Sequence, residues 1–183
     1  AYNDIYAKFT ALLGIHFHEI AHIIYCDFAE EQKAIDKIKA GEFYGELPVP
    51  KTQAEVDALT EMKDALQNSA YRPLFQQIFN DVTNTIDDPH DEGKIIDEFG
   101  GIVEKGIATS REALFRSFDY AENILANDKA TKLQKLYALM LEFARFEDVF
   151  ARDLEQCVCD NDIMKMVIDM AKPLSQAIWT DDV

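Results

Sequence analysis

Apolar residues recur along this chain with the helical period, and no stretch alternates with the period of two that marks a half-buried strand. The pattern predicts an all-α protein. A first helix is expected from about Asn3 to Phe28, followed by the charged helical segment "AEEQKAIDKIKA" over residues 29–40. The stretch "GEFYGELPVPKT", residues 41–52, carries two glycines and two prolines and reads as a loop. A third helix starts near Thr52. Next comes "YRPLFQQIFNDVTNTI", which sets Phe75, Ile78, Phe79, Val82 and Ile86 on one stripe. Pro89 lacks an amide donor and is expected to interrupt or restart that helix, and "EFGGIV" at 98–103 marks another break. The rest predicts helices around "REALFRSFDYAENILA" (111–126), "LQKLYALMLEFARFEDVF" (133–150) and "NDIMKMVIDMAKPL" (161–174), with Leu139, Phe143, Phe146 and Phe150 in the core. The expected architecture is one compact helical domain spanning residues 1–183.

One of these helices carries chemistry as well as apolar residues. In "GIHFHEIAHIIYCDF", residues 14–28, three histidines and a glutamate interrupt an apolar run. At about 100° per residue, His18 and His22 lie about 40° apart, one turn from each other, where two imidazoles can reach a single ion. His16 points almost opposite His18 and is expected to be a hydrogen-bonded core histidine or one that supports a ligand. Ala11, Gly14 and Ile15 share the His18/His22 face and leave room for a close approach. Phe9, Leu13, Ile20, Ile23 and Ile24 occupy the other side, which predicts a central helix. A buried imidazole or carboxylate without a partner is costly, and a metal ion resolves that cost. Glu19 adjoins His18 off the ligand line. In "HEIAH" this is the H-E-x-x-H arrangement, in which two histidines bind Zn2+ and the glutamate takes a proton from water that the metal has made acidic.

Composition narrows the classes. The 183 residues suffice for one domain with a real core, and 48% hydrophobic residues exclude a disordered chain. A formal net charge of −16 disfavours nucleic acid as a partner and favours cations. Cys26, Cys157 and Cys159 do not make a secreted disulfide framework and read as reduced thiols. Charges interrupt every apolar run before it reaches spanning length, and the N-terminus does not read as a signal peptide. No membrane partner and a cytoplasmic location are the expectation. The chain begins without Met and reads as a fragment of a larger protein.

A catalytic zinc site needs a third protein ligand and an open position. The other dense set of candidates is "NTIDDPHDEG", residues 84–93. Here "HEIAHIIYCDF" (18–28) followed by "FNDVTNTIDDPHDE" (79–92) resembles the zincin-like metallopeptidase domains associated with von Willebrand factor A-type domains. These occur in bacterial, phage and mobile-element proteins and include proteins similar to a cobaltochelatase subunit. His18, Glu19, His22, Asp27 and Phe28 match the family's first block; Asn84, Asp88 and Glu92 match its second. The chain departs from the pattern at Asp87, Pro89 and Asp91. The resemblance implies a zinc peptidase acting on a protein or peptide substrate, with Glu19 as general base. It also implies Asp88 as third ligand and an A-type domain elsewhere in a longer protein.

Read from the residues alone, Asp88 has a second role open to it, as an N-cap before Pro89 with acidic residues in the first turn. Asp87 and His90 are alternate ligands, since in an unbroken helix they would flank the apolar stripe more closely. Glu92, with Asn84 nearby, could orient a ligand imidazole. Two rival readings use the same residues. Glu19-x-x-His22 and Asp87-x-x-His90 resemble halves of a di-iron bundle site, with Glu142 or Glu147 as a further carboxylate and Fe as the metal. Alternatively, the chain is a non-catalytic helical interaction domain with a structural or degenerate metal site.

Overall fold

The computed structural model describes residues 4–115, 121–145 and 161–180. Among the described residues there are helices and no strand: α1 (Ile5–Tyr25), α2 (Phe28–Ala40), α3 (Gln53–Gln67), α4 (Arg72–Phe99), α5 (Gly101–Phe115), α6 (Ala121–Ala126), α7 (Lys132–Arg145) and α8 (Asp162–Ile178). The all-α expectation holds. No single described helix is long and apolar enough to cross a membrane. Phe146, Glu147, Phe150, Cys157 and Cys159 lie outside the described residues.

The chain divides into two compact units, one of residues 27–83 and one of the residues before and after. In the 27–83 unit, polar side chains close the ends of helices. Asp27 starts α2 by accepting from the amides of Ala29 (3.0 Å) and Glu30 (3.1 Å). Gly41 ends α2 in the left-handed region (φ 85°), a conformation glycine adopts without Cβ strain. Thr52 and Glu55 form a reciprocal capping box at the start of α3. The Arg72 guanidinium then ties both helices together. It donates to the carbonyls of Leu66 (3.2 Å), Gln67 (3.2 Å) and Lys39 (2.8 Å), at the electronegative C-terminal ends of α3 and α2.

The other unit has two apolar clusters. Ala121, Leu139, Met140, Ile163, Met164, Val167, Leu174 and Ile178 join α6, α7 and α8, with Phe143 and Ile86 packed against them. Each of the larger of these side chains contributes about 1.5–3 kcal/mol by leaving water. Ala21, Ile95, Val103 and Ile107 form the second cluster, where α1, α4 and α5 meet.

The α1/α5 crossing is set by two glycines. A Cβ on Gly14 would lie 2.0 Å from the carbonyl oxygen of Gly106, so only hydrogen at that position permits the observed approach. This crossing also corrects the expectation that α1 is central. Its buried residues are Thr10, Gly14 and Ala21, all small, while Ile5, Phe9, Leu12, Ile20, Ile23 and Ile24 are exposed. Close backbone approach selects small side chains for the packed stripe and leaves the large apolar ones outside it. His16, expected in the core or beside a ligand, is likewise exposed.

A second correction concerns α4. It runs unbroken from Arg72 to Phe99 with Pro89 inside it. The missing amide at residue 89 removes one helical hydrogen bond, a cost of about 3 kcal/mol for an interior proline. Burial of the apolar Pro89 and Ile95 on that segment opposes this cost. Asp88 is therefore a mid-helix residue and not an N-cap. The real break falls at Gly100 and Gly101, both at positive φ (54° and 53°), as "EFGGIV" predicts.

Candidate metal centre

Because α4 continues through Pro89, Asp88, Asp91, Glu92 and Ile95 stand at i, i+3, i+4 and i+7 on one face. That face meets the His18/His22 face of α1. The two imidazoles are nearly perpendicular, with ring centroids 4.5 Å apart, and their Nε2 atoms lie 3.2 Å from each other.

Each imidazole is held from behind by a buried carboxylate. His18 Nδ1 donates to Glu92 Oε1 at 2.8 Å, and His22 Nδ1 donates to Asp91 Oδ2 at 3.1 Å. Asp91 and Glu92 are 2% and 4% exposed, and polar groups at that depth need hydrogen-bond partners. Arg111 supplies the partner for Glu92, donating from Nε at 2.5 Å and from a terminal nitrogen to the same oxygen, Oε2. Cys26 Sγ donates to Asp91 Oδ2 at 3.0 Å and sits 3.1 Å from His22 Nδ1. An ionised carboxylate only accepts, so both Nδ1 atoms carry the proton, and in the neutral imidazoles each Nε2 presents a lone pair.

Asp88 completes the set. Its Oδ1 lies 3.0 Å from His22 Nε2 and 3.8 Å from His18 Nε2, while its Oδ2 is paired with a terminal nitrogen of Arg145. With one oxygen engaged by the guanidinium, the other is turned to the imidazoles. Two nitrogens and one oxygen thus form a triangle with sides of 3.0, 3.2 and 3.8 Å. A tetrahedral zinc site with bonds of about 2.0–2.1 Å has ligand–ligand edges of roughly 3.3 Å, a value these sides bracket.

The donor chemistry fits a cation for a second reason. Two lone pairs facing each other beside a carboxylate oxygen repel unless positive charge stands among them. Separately, the pKa of His22 is raised, first by its hydrogen bond to Asp91, against the opposing effect of burial, and then by the charges of Asp91, Glu19 and Asp87.

The other sequence candidates are placed as follows. Glu19 is exposed on α1, one turn from both Ile15 and His22. Asp87 is half-buried and acts on His22 through its charge, outside the triangle. His90 turns away from the three donors; its Nδ1 donates to the carbonyl of Ile178 at 2.6 Å. Asn84 is exposed, one turn before Asp88. Glu142 is 2% exposed and joins none of the candidate metal-holding groups found among the described residues. Asp27 of the motif's tail is the α2 cap described above. Sequence reading missed the roles of Asp91, Cys26, Arg111 and Arg145. Asp91 was within reach, three residues after Asp88, once the helix is allowed to pass Pro89. The two arginines come from α5 and α7, and nothing local to them signals the partnership.

Comparison with known protein families, curated proteins and solved structures returns no match to this chain.

Proposed function

We propose that this chain is a zincin-like, zinc-dependent peptidase domain, with His18, His22 and Asp88 as the protein ligands. The observation that carries the reading is the convergence of His18 Nε2, His22 Nε2 and Asp88 Oδ1 within 3.8 Å of one another, each from a side chain already oriented by a buried partner. Bound there, zinc would supply Lewis acidity, lowering the pKa of water and polarising a carbonyl. The chain's own residues do the rest. Glu92 with Arg111, and Asp91 with Cys26, fix the tautomer and direction of the two imidazoles. Arg145 leaves one oxygen of Asp88 for the ligand set. Glu19, exposed and adjacent in sequence to His18, receives the proton from the attacking water and returns it to the leaving amine. A cleft bordered by His18 receives the peptide.

The test is metal content by mass spectrometry on protein purified without a metal-affinity column, for wild type, His18→Ala and Glu19→Gln. About one zinc per chain is expected in wild type and Glu19→Gln and none in His18→Ala, since a catalytic zinc site rests on three protein ligands. Peptide hydrolysis is expected from wild type only. A Glu19→Gln protein as active as wild type defeats the mechanism, and iron in place of zinc moves the site to a different metal chemistry.

A second reading has an observation of its own. The exposed apolar face of α1, Ile5, Phe9, Ile20, Ile23 and Ile24, suits a helical interaction domain in which the same ligands hold a structural ion. Stoichiometric zinc without hydrolysis of any peptide by wild type would favour it.

A further inference from the structure

The cleft beside the metal centre, about 360 Å³, has a character that the peptidase reading does not require. Its wall is apolar at Ala11, Ile15 and Leu114, yet the cations Arg111 and Arg145 line it together with His18 and the carboxylate of Glu92. In a chain of formal charge −16, two guanidiniums in one small cleft run against the overall balance.

Their hydrogen-bonding capacity is only partly used. A guanidinium has five N–H donors. Arg111 directs Nε and one terminal nitrogen to a single oxygen of Glu92, and its side chain keeps 31% exposure. Its other terminal nitrogen is not used by Glu92. Arg145 spends one terminal nitrogen on Asp88, and its Nε is buried without a hydrogen-bond partner among the described residues. Buried or half-buried donors of this kind call for an acceptor, and a carboxylate matches the planar fork of arginine with two parallel bonds.

We propose that the cleft selects peptides carrying a carboxylate next to the bond to be cleaved, received by Arg111 with Arg145 beside it. This rests on the peptidase reading of the same site. The carboxylate is either the C-terminus of the peptide or an acidic side chain; the apolar wall takes a neighbouring aliphatic residue. Because Arg111 also holds Glu92, and Glu92 holds His18, an occupied anion site and an oriented ligand share one residue.

The test is fluorescence anisotropy on the zinc-loaded Glu19→Gln chain, with four labelled apolar tetrapeptides: free C-terminus, C-terminal amide, amide with an internal Asp, and amide with an internal Asn. At least one carboxylate peptide is expected to bind about tenfold or more tightly than its neutral counterpart, as charge-assisted bonds to a guanidinium give. The tighter of the two assigns the terminal or the side-chain carboxylate. With each variant saturated in zinc and compared at equal metal loading, Arg111→Gln is expected to abolish the preference; Arg111→Lys, which keeps the charge but not the fork, is expected to keep part of it. Equal binding of acidic and neutral peptides by the parent chain overturns the proposal without any Arg111 variant. So does an Arg111→Gln protein that keeps the preference. Failure of the peptidase reading shows separately: carboxylate preference with no hydrolysis by wild type leaves an anion-binding cleft, and hydrolysis without preference leaves a peptidase of other specificity.

Discussion

Two regions of this protein use the same residue types to opposite ends. In the 27–83 unit, Asp27, Thr52 and Arg72 bond to backbone groups at helix ends, where the chain leaves amides and carbonyls unsatisfied. Around the candidate metal centre, Asp88, Asp91, Glu92, Arg111 and Arg145 bond to one another and to two histidines, side chain to side chain. Capping satisfies a need that any helix has. A buried network of side chains satisfies only itself, and breaking even with an apolar core is the most it usually achieves for stability. The proposed metal site gives such a network a use beyond stability.

Four substitutions separate the two regimes. Gly14→Ala is expected to have the largest effect, because its methyl would meet the Gly106 carbonyl at 2.0 Å and drive α1 from α5. A loss of about 4 kcal/mol or more, at the upper end for point mutants, should appear in denaturant unfolding together with lost zinc binding. Glu92→Ala removes the acceptor of His18 and the partner of Arg111. Zinc affinity should fall about 10- to 100-fold by competition with a chromophoric chelator, with about 1–3 kcal/mol of stability lost. Arg72→Ala should show the reverse profile, losing about 1–2 kcal/mol through its three carbonyl bonds while zinc affinity stays at the wild-type value. Thr52→Ala, which removes half of a capping box, should cost about 1 kcal/mol and leave the metal untouched. A zinc defect in Arg72→Ala or Thr52→Ala, or normal zinc affinity in Glu92→Ala, would erase the distinction between the regions.

The same contrast explains what was legible beforehand. Caps and breaks are local. Thr52, Gly41 and the Gly100–Gly101 pair announce themselves within a few residues, and the helices begin and end close to where the pattern places them. His18 and His22 were legible because helical geometry alone puts residues four apart on one face. Pro89 misled because a local rule, that proline ends a helix, was outweighed by burial of the residues around it. With the helix cut there, Asp88 had an N-cap role open to it beside that of third ligand, and Asp91 had no role. Residues 5–24 misled differently: periodicity identifies a helix and its apolar faces, but which face is covered depends on a neighbour, and α5 covers the glycine stripe.

The sequence by itself determined that the chain is helical, where most helices start and stop, and that two imidazoles stand one turn apart beside a glutamate. These follow from interactions spanning a handful of residues. Only the tertiary structure decided which oxygen faces those imidazoles, which carboxylates hold them, and that guanidiniums from α5 and α7 balance the charge. Those partners are separated by tens of residues along the chain, and what joins them is the depth to which packing buries each charge and the small number of positions from which an opposite charge can reach it.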